Sequence, residues 1–116
     1  MNITEYKKLK KRNKYGAKKA VSDGITFDSK WERDYYNILK LRKRDGEIAD
    51  FRMQERVDLI VNGKLIAWVK VDFVVIYNNG LISYEDTKGV VTPIFRLKAK
   101  LFKALIGKEI HVIKRK

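Results

Sequence analysis

Leu65-Ile66-Ala67-Trp68-Val69-Lys70-Val71-Asp72-Phe73-Val74-Val75-Ile76-Tyr77, then Asn78-Asn79-Gly80, then Leu81-Ile82-Ser83-Tyr84-Glu85-Asp86-Thr87-Lys88: two runs rich in β-branched and aromatic residues flank a turn sequence. The first reads as a long strand and the second as its antiparallel partner. Aspartate is disfavoured inside strands, yet each run carries one, and burying a carboxylate there is costly without a compensating group. A three-residue Asn78-Asn79-Gly80 loop, with a type I turn and Gly80 in the left-handed region, sets Tyr77 opposite Leu81. Counting outward from that pair brings Asp72 opposite Asp86, with Cβ atoms expected about 4.5–5.5 Å apart. A two-residue Asn79-Gly80 loop shifts the register by one and puts the aspartates on opposite faces.

Two facing carboxylates repel unless a cation lies between them. A hard divalent ion such as Mg²⁺ suits carboxylate oxygens completed by water. By the two-residue period Lys88 shares the face of Asp86, where an ammonium orients a nucleophilic water or stabilises a charged phosphate. The plain alternative is an exposed Asp72–Lys88 or Asp86–Lys70 salt bridge.

Outward from this pair, Met53–Val61 alternates as a strand with Val57, Leu59 and Val61 on one face, and Asn62-Gly63 is a two-residue hairpin turn. Upstream, Asp28 or Ser29 caps a helix whose apolar stripe is Trp31, Tyr35, Ile38 and Leu39, stopped by Gly46. Before it, Ala17 to Phe27 forms a short hairpin turning at Asp23-Gly24. Downstream, Thr92-Pro93 opens a second helix with the stripe Ile94, Leu97, Leu101 and Leu105. Gly107 ends it, and Glu109 to Ile113 is a last short strand, in which His111 reads as structural or exposed. The order is helix, three strands, helix, strand: an α/β fold with a mixed sheet flanked by helices.

Ser29-Lys30-Trp31-Glu32 fits a capping box, in which Glu32 reaches back to the helix start. The alternative points Glu32 toward the sheet and the same cation.

The chain has 116 residues, one domain's worth, with 45% apolar residues, 27 Lys plus Arg against 14 Asp plus Glu, and a formal charge of +13. It has no cysteine and one histidine. Disulfides, thiolate zinc sites and cysteine nucleophiles are thereby excluded, and multi-histidine metal sites and serine–histidine triads are disfavoured. No signal-peptide core and no apolar window near the ~18 residues of a membrane span is present. The reading is a basic intracellular domain, cytoplasmic, without a membrane partner. The excess charge favours a polyanion such as nucleic acid. Lys7, Lys8, Lys10, Lys11, Arg12, Lys14, Lys18 and Lys19 are opposed only by Glu5, so residues 1–16 read as a basic arm and 17–116 as a single domain.

The combination of Glu32 on a helix, Asp72 on a strand and Asp86-Thr87-Lys88 on the next resembles the PD-(D/E)XK nuclease superfamily, whose αβββαβ core has the same order of elements. Phe27-Asp28-Ser29-Lys30-Trp31-Glu32, with Gln54 after the helix, looks like its transposon-end-cleaving branch and related phage-borne nucleases. Lys14-Tyr15-Gly16-Ala17-Lys18-Lys19 and Phe95-Arg96-Leu97-Lys98-Ala99-Lys100-Leu101-Phe102 resemble a small phage and prophage family of that superfamily, long of unassigned function. The resemblance covers about Lys14 to Ile113. Two positions depart from the pattern: Val71 replaces the usual proline, and Asp86 replaces glutamate.

The resemblance implies a restriction-endonuclease-like core and Mg²⁺- or Mn²⁺-dependent hydrolysis of DNA phosphodiesters. Catalytic residues would be Glu32, Asp72, Asp86 and Lys88. Metal ligands would be Asp72 and Asp86, with the Thr87 carbonyl, and Glu32 directly or through water. Glu85 should face the other side of the sheet. Arg96 and Lys98, following the active strand, and Lys18 and Lys19 are the expected DNA contacts. With no appended recognition domain, branched DNA such as a Holliday junction is the favoured substrate in phage recombination or processing. Symmetric cleavage would require a homodimer. The rival reading is a non-catalytic nucleic-acid-binding protein on the same fold, which would have no need of the Asp72–Asp86–Lys88 cluster.

Overall fold

The computed structural model describes residues 19–115. The basic arm, Lys18 and most of the Lys14–Lys19 motif lie outside the described residues. From the start of the described chain, strands β1 (Ala20–Ser22) and β2 (Ile25–Phe27) form an antiparallel hairpin, followed by helix α1 (Lys30–Arg44). The described chain divides into two compact units between Asn37 and Ile38, inside α1.

In the first unit Ser22 pairs with Ile25, so the expected Asp23-Gly24 turn is the connection. Both turn residues have positive φ, 51° and 75°, as a type I′ turn requires. Ser29 caps α1 by accepting the Glu32 N–H at 3.1 Å. The buried positions of α1 are Glu32, Tyr35, Tyr36 and Leu39, at i, i+3, i+4 and i+7, whereas Ile38 is exposed and Trp31 half-buried. The expected stripe through Trp31 and Ile38 is therefore rotated. Tyr36 takes the inner place because its ring lies 5.1 Å from that of Phe27 and its hydroxyl donates to Asp23 at 2.9 Å. A count of purely apolar residues passes over such a side chain.

The second unit is built on β3 (Asp50–Val61), β4 (Lys64–Ile76), β5 (Ile82–Thr87), helix α2 (Pro93–Ile106) and β6 (Ile110–Ile113). The sheet order is β3-β4-β5-β6; the first two pairings are antiparallel and β5–β6 is parallel. A parallel neighbour requires a crossover, and α2 supplies it. The fold is thus mixed α/β, with helix, three strands, helix and strand in the expected order after the hairpin. The Asn62-Gly63 turn joins β3 to β4, with φ of 51° and 77°. Within β3 the expected inner face fades toward this turn: Leu59 is buried, Val57 half-buried and Val61 exposed. The core gathers Leu59, Val69, Val71 and Val74 from the sheet with Phe102 and Ile110.

Thr92 caps α2 by accepting the Phe95 N–H at 3.1 Å, Pro93 opens it and Gly107 closes it at φ 80°. Of the expected stripe only Leu101 packs against the core, half-buried. Ile94 and Leu97 are 66% and 68% exposed and Leu105 is also exposed, while Phe102 is buried with Phe95, Lys98 and Ala99 half-buried beside it. Apolar residues occupy two sides of this helix, so 3.6-residue spacing fits both. The side with two phenylalanines removes more apolar area from water and turns inward.

Candidate functional site

The β4–β5 hairpin places the candidate residues. Tyr77 donates its N–H to Leu81 at 2.9 Å, the Gly80 N–H returns to Tyr77, and Gly80 has φ 86°. This is the three-residue loop expected from the sequence, and the ladder runs from Ile76↔Ile82 to Phe73↔Glu85. One step further Asp72 meets Asp86, and side chains take over from main chain. The Asp86 carboxylate accepts the Asp72 N–H at 2.7 Å. The Asp72 carboxylate accepts both the N–H and the hydroxyl of Thr87, each at 3.0 Å. Each carboxylate thus accepts a main-chain N–H of the opposite strand: the Thr87 amide would meet a β4 carbonyl in a regular ladder, and the Asp72 amide would face β3. Asp86 and Thr87 keep main-chain pairing with Val112 and Ile113 of β6.

The other edge of β4 is irregular at the same residue. The β3–β4 register passes from Met53↔Phe73 to Glu55↔Val71, which flanks Gln54 and Asp72. Gln54 has φ 51°, a left-handed conformation that a non-glycine residue adopts at a cost.

Asp86 is 1% exposed. Burial pushes its carboxyl above the ordinary value of 3.8, opposed by the Asp72 N–H and by Lys88. The Lys88 ammonium stands 3.6 Å from Asp86 and 4.5 Å from the centre of the Phe95 ring, so a cation–π contact and a carboxylate hold it together. Asp86 is accordingly no surface salt-bridge residue. Glu85, on the opposite face by alternation, is also buried.

Asp86 and Lys88 line a cavity of about 240 Å³ together with Trp68, Lys70, Phe95 and Lys98. Lys98 is half-buried, its ammonium 5.4 Å from the centre of the Trp68 ring. Arg96, the other expected contact on α2, is exposed and does not line the cavity. In the first unit Lys19 is exposed, and Glu32 is buried and accepts the Asp28 N–H at 3.2 Å. This carboxylate reaches back past the Ser29 cap to the residue before it, one position beyond the N–H that a capping box uses. His111 on β6 is exposed.

Sequence reading named neither Trp68 nor Phe95 as a site residue and weighed Lys70 only as a salt-bridge partner of Asp86. Trp68 and Lys70 were findable, since they precede Asp72 at the two-residue period and share its face. Gln54 entered only through resemblance; nothing in its local sequence announces a left-handed residue. Among the described residues no three His, Asp or Glu side chains cluster as a metal-binding group, and no helix is long and apolar enough to cross a membrane.

These features define a mixed α/β protein whose sheet opens around a pair of aspartates with a lysine at their edge. The chain belongs to the family described as "Protein of unknown function (DUF1064)", whose model matches residues 12–114. No curated protein and no solved structure matches it.

Proposed function

We propose that this chain is a metal-dependent DNA endonuclease of the PD-(D/E)XK type, with a restriction-endonuclease-like core. The observation that carries the reading is the meeting of Asp72 with a buried Asp86 carboxylate where the β4–β5 ladder gives way. The position of Lys88 and the net charge of +13 add to it.

The donors present suit a hard cation. Asp72 and Asp86 offer carboxylate oxygens, the Thr87 carbonyl is a neighbouring oxygen, and thiolate ligands are excluded by the absence of cysteine. When bound, Mg²⁺ or Mn²⁺ supplies a water of lowered pKa and neutralises charge on the scissile phosphate. The chain's own residues do the rest. Asp86 is kept in place by the Asp72 N–H, and Asp72 by the two Thr87 donors, so both carboxylates are oriented before any ligand arrives. The Lys88 ammonium, steadied by the Phe95 ring, donates hydrogen bonds to a non-bridging phosphate oxygen or to the attacking water. Lys70 and Lys98 meet neighbouring phosphates. The proposed substrate is branched DNA, with a Holliday junction as the type that calls for a homodimer and phage recombination as the setting.

The test is cleavage of branched and linear DNA in Mg²⁺ or Mn²⁺ by native protein and Asp86→Ala. Cleavage should vanish with chelator and fall about 100-fold or more in the variant, since even groups that only support a metal ligand are worth about 10–100-fold. Equal background cleavage with retained DNA binding in both proteins would instead establish the binding-protein reading.

A further inference from the structure

Trp68 is 45% exposed on β4, yet its ring is not idle. The Arg56 guanidinium lies 4.7 Å and the Lys98 ammonium 5.4 Å from its centre. Register explains the first contact. Arg56 pairs with Lys70 and Asp58 with Trp68, so Arg56 is the diagonal neighbour of Trp68 on one face. The Arg56 guanidinium is itself fixed by Asp58 at 2.9 Å. The cavity wall that carries Trp68 also carries Lys70, Lys88, Phe95, Lys98 and the buried Asp86. Three ammonium groups therefore surround one carboxylate and two aromatic rings, each ring with a lysine over it.

We propose that Trp68 is a stacking platform for an unpaired base, so that the site takes single-stranded DNA beside the scissile phosphate. A nucleotide alternates a planar ring with an anion, and this wall alternates a ring with cations. An acidic peptide would use the lysines and leave the ring unused; an apolar ligand would do the reverse. Phosphates of a bound strand draw Lys98 and Arg56 toward themselves and free the ring face for a base. The cavity, about 240 Å³, has room for a single ring beside Trp68. Bases inside a duplex already stack on each other and offer no face, whereas those of a flap or gap do. The choice of scissile phosphate rests on the nuclease reading; the stacking itself does not.

The experiment is binding in chelator, where no cleavage competes. In full-length Trp31→Phe protein, Trp68 is the remaining one of two tryptophans, and its emission should be quenched on titration with a short oligothymidylate. Trp68→Ala should weaken that single strand about ten-fold and Trp68→Phe no more than about two-fold. A duplex of matched length should change by less than about two-fold in either variant. Absence of quenching, or equal losses on single strand and duplex, would overturn the proposal. Quenching with no cleavage under any metal would leave the platform standing and remove the nuclease. Cleavage without quenching would do the opposite.

Discussion

Asp86→Asn should make the protein more stable while stopping cleavage. The wild-type carboxylate is buried, and loss of water is the largest influence on it, outweighing the Asp72 N–H and Lys88. The native state therefore holds the Asp86 proton more tightly than the unfolded chain does. The protonated form's favourable contribution is complete below 3.8 and is lost as pH rises through the elevated native value, so at pH 7 the charged carboxylate burdens the fold. Asparagine keeps an oxygen for the Asp72 N–H and removes the charge. It forfeits the extra strength of a charge-assisted bond and the contact with Lys88 at 3.6 Å. The net gain should lie in the range that single stabilising substitutions reach, about 0.5–2 kcal/mol. For a unit of this size each kcal/mol raises Tm by about 4–8 °C. Thermal melts in chelator at pH 7 and at successively lower pH provide the assay. The gain should be largest at pH 7 and vanish as pH falls toward 3.8. Asp50 and Glu109, whose carboxyls are held below their ordinary values through hydrogen bonds from Lys43 and Lys103, favour folding above those values. They weaken both proteins equally in acid and cancel in the difference. Adding Mg²⁺ should raise the Tm of the wild type alone. A variant less stable than wild type at pH 7, or a gap indifferent to pH, would show that the Asp86 charge does not burden the fold.

Two further outcomes follow from the second unit. Phe102→Ala removes a fully buried ring that meets Tyr84 edge-on at 5.0 Å, and should cost about 3–5 kcal/mol in denaturant unfolding. Gln54→Gly relieves a left-handed residue at φ 51° and should add about 1 kcal/mol by the same measurement, whereas Gln54→Val should lower stability.

The hairpins were legible because their turns leave few choices. Asp23-Gly24 and Asn62-Gly63 adopt paired positive φ, and Asn78-Asn79-Gly80 fixes the register that joins Asp72 to Asp86. Helix positions were legible from their caps, Ser29 and Thr92. The inner faces of the helices were not. Along α1 a tyrosine and a glutamate fill positions that an apolar count ignores, and α2 carries apolar residues on two sides. The contest between those sides is decided by packing against β3, β4 and β6, which no local pattern encodes. The site was half legible for a similar reason. Spacing gave the aspartate pair, but the exchange of bonds between Asp72, Asp86 and Thr87, and the strained Gln54 opposite, arise only when three strands meet.

That exchange also separates what the fold needs from what it carries. Regular ladders on both edges of β4 would satisfy the Asp72 amide from β3 and the Thr87 amide from β4 with main-chain carbonyls, and valines like the neighbouring Val71 and Val74 would fill the space without burying charge. Local chemistry elsewhere in the unit agrees with the fold: glycines at positive φ in the turns, a threonine cap and a proline at the helix start. Against that background the departures are concentrated on adjacent residues of three strands: a buried acid, a ladder replaced by carboxylates and a left-handed glutamine. Sequences that agree with their structure at most levels break the local rules chiefly where function requires it. The burden falls on the atoms best suited to hold a cation beside Lys88, which is why a neutral residue at Asp86 should favour folding and abolish cleavage together.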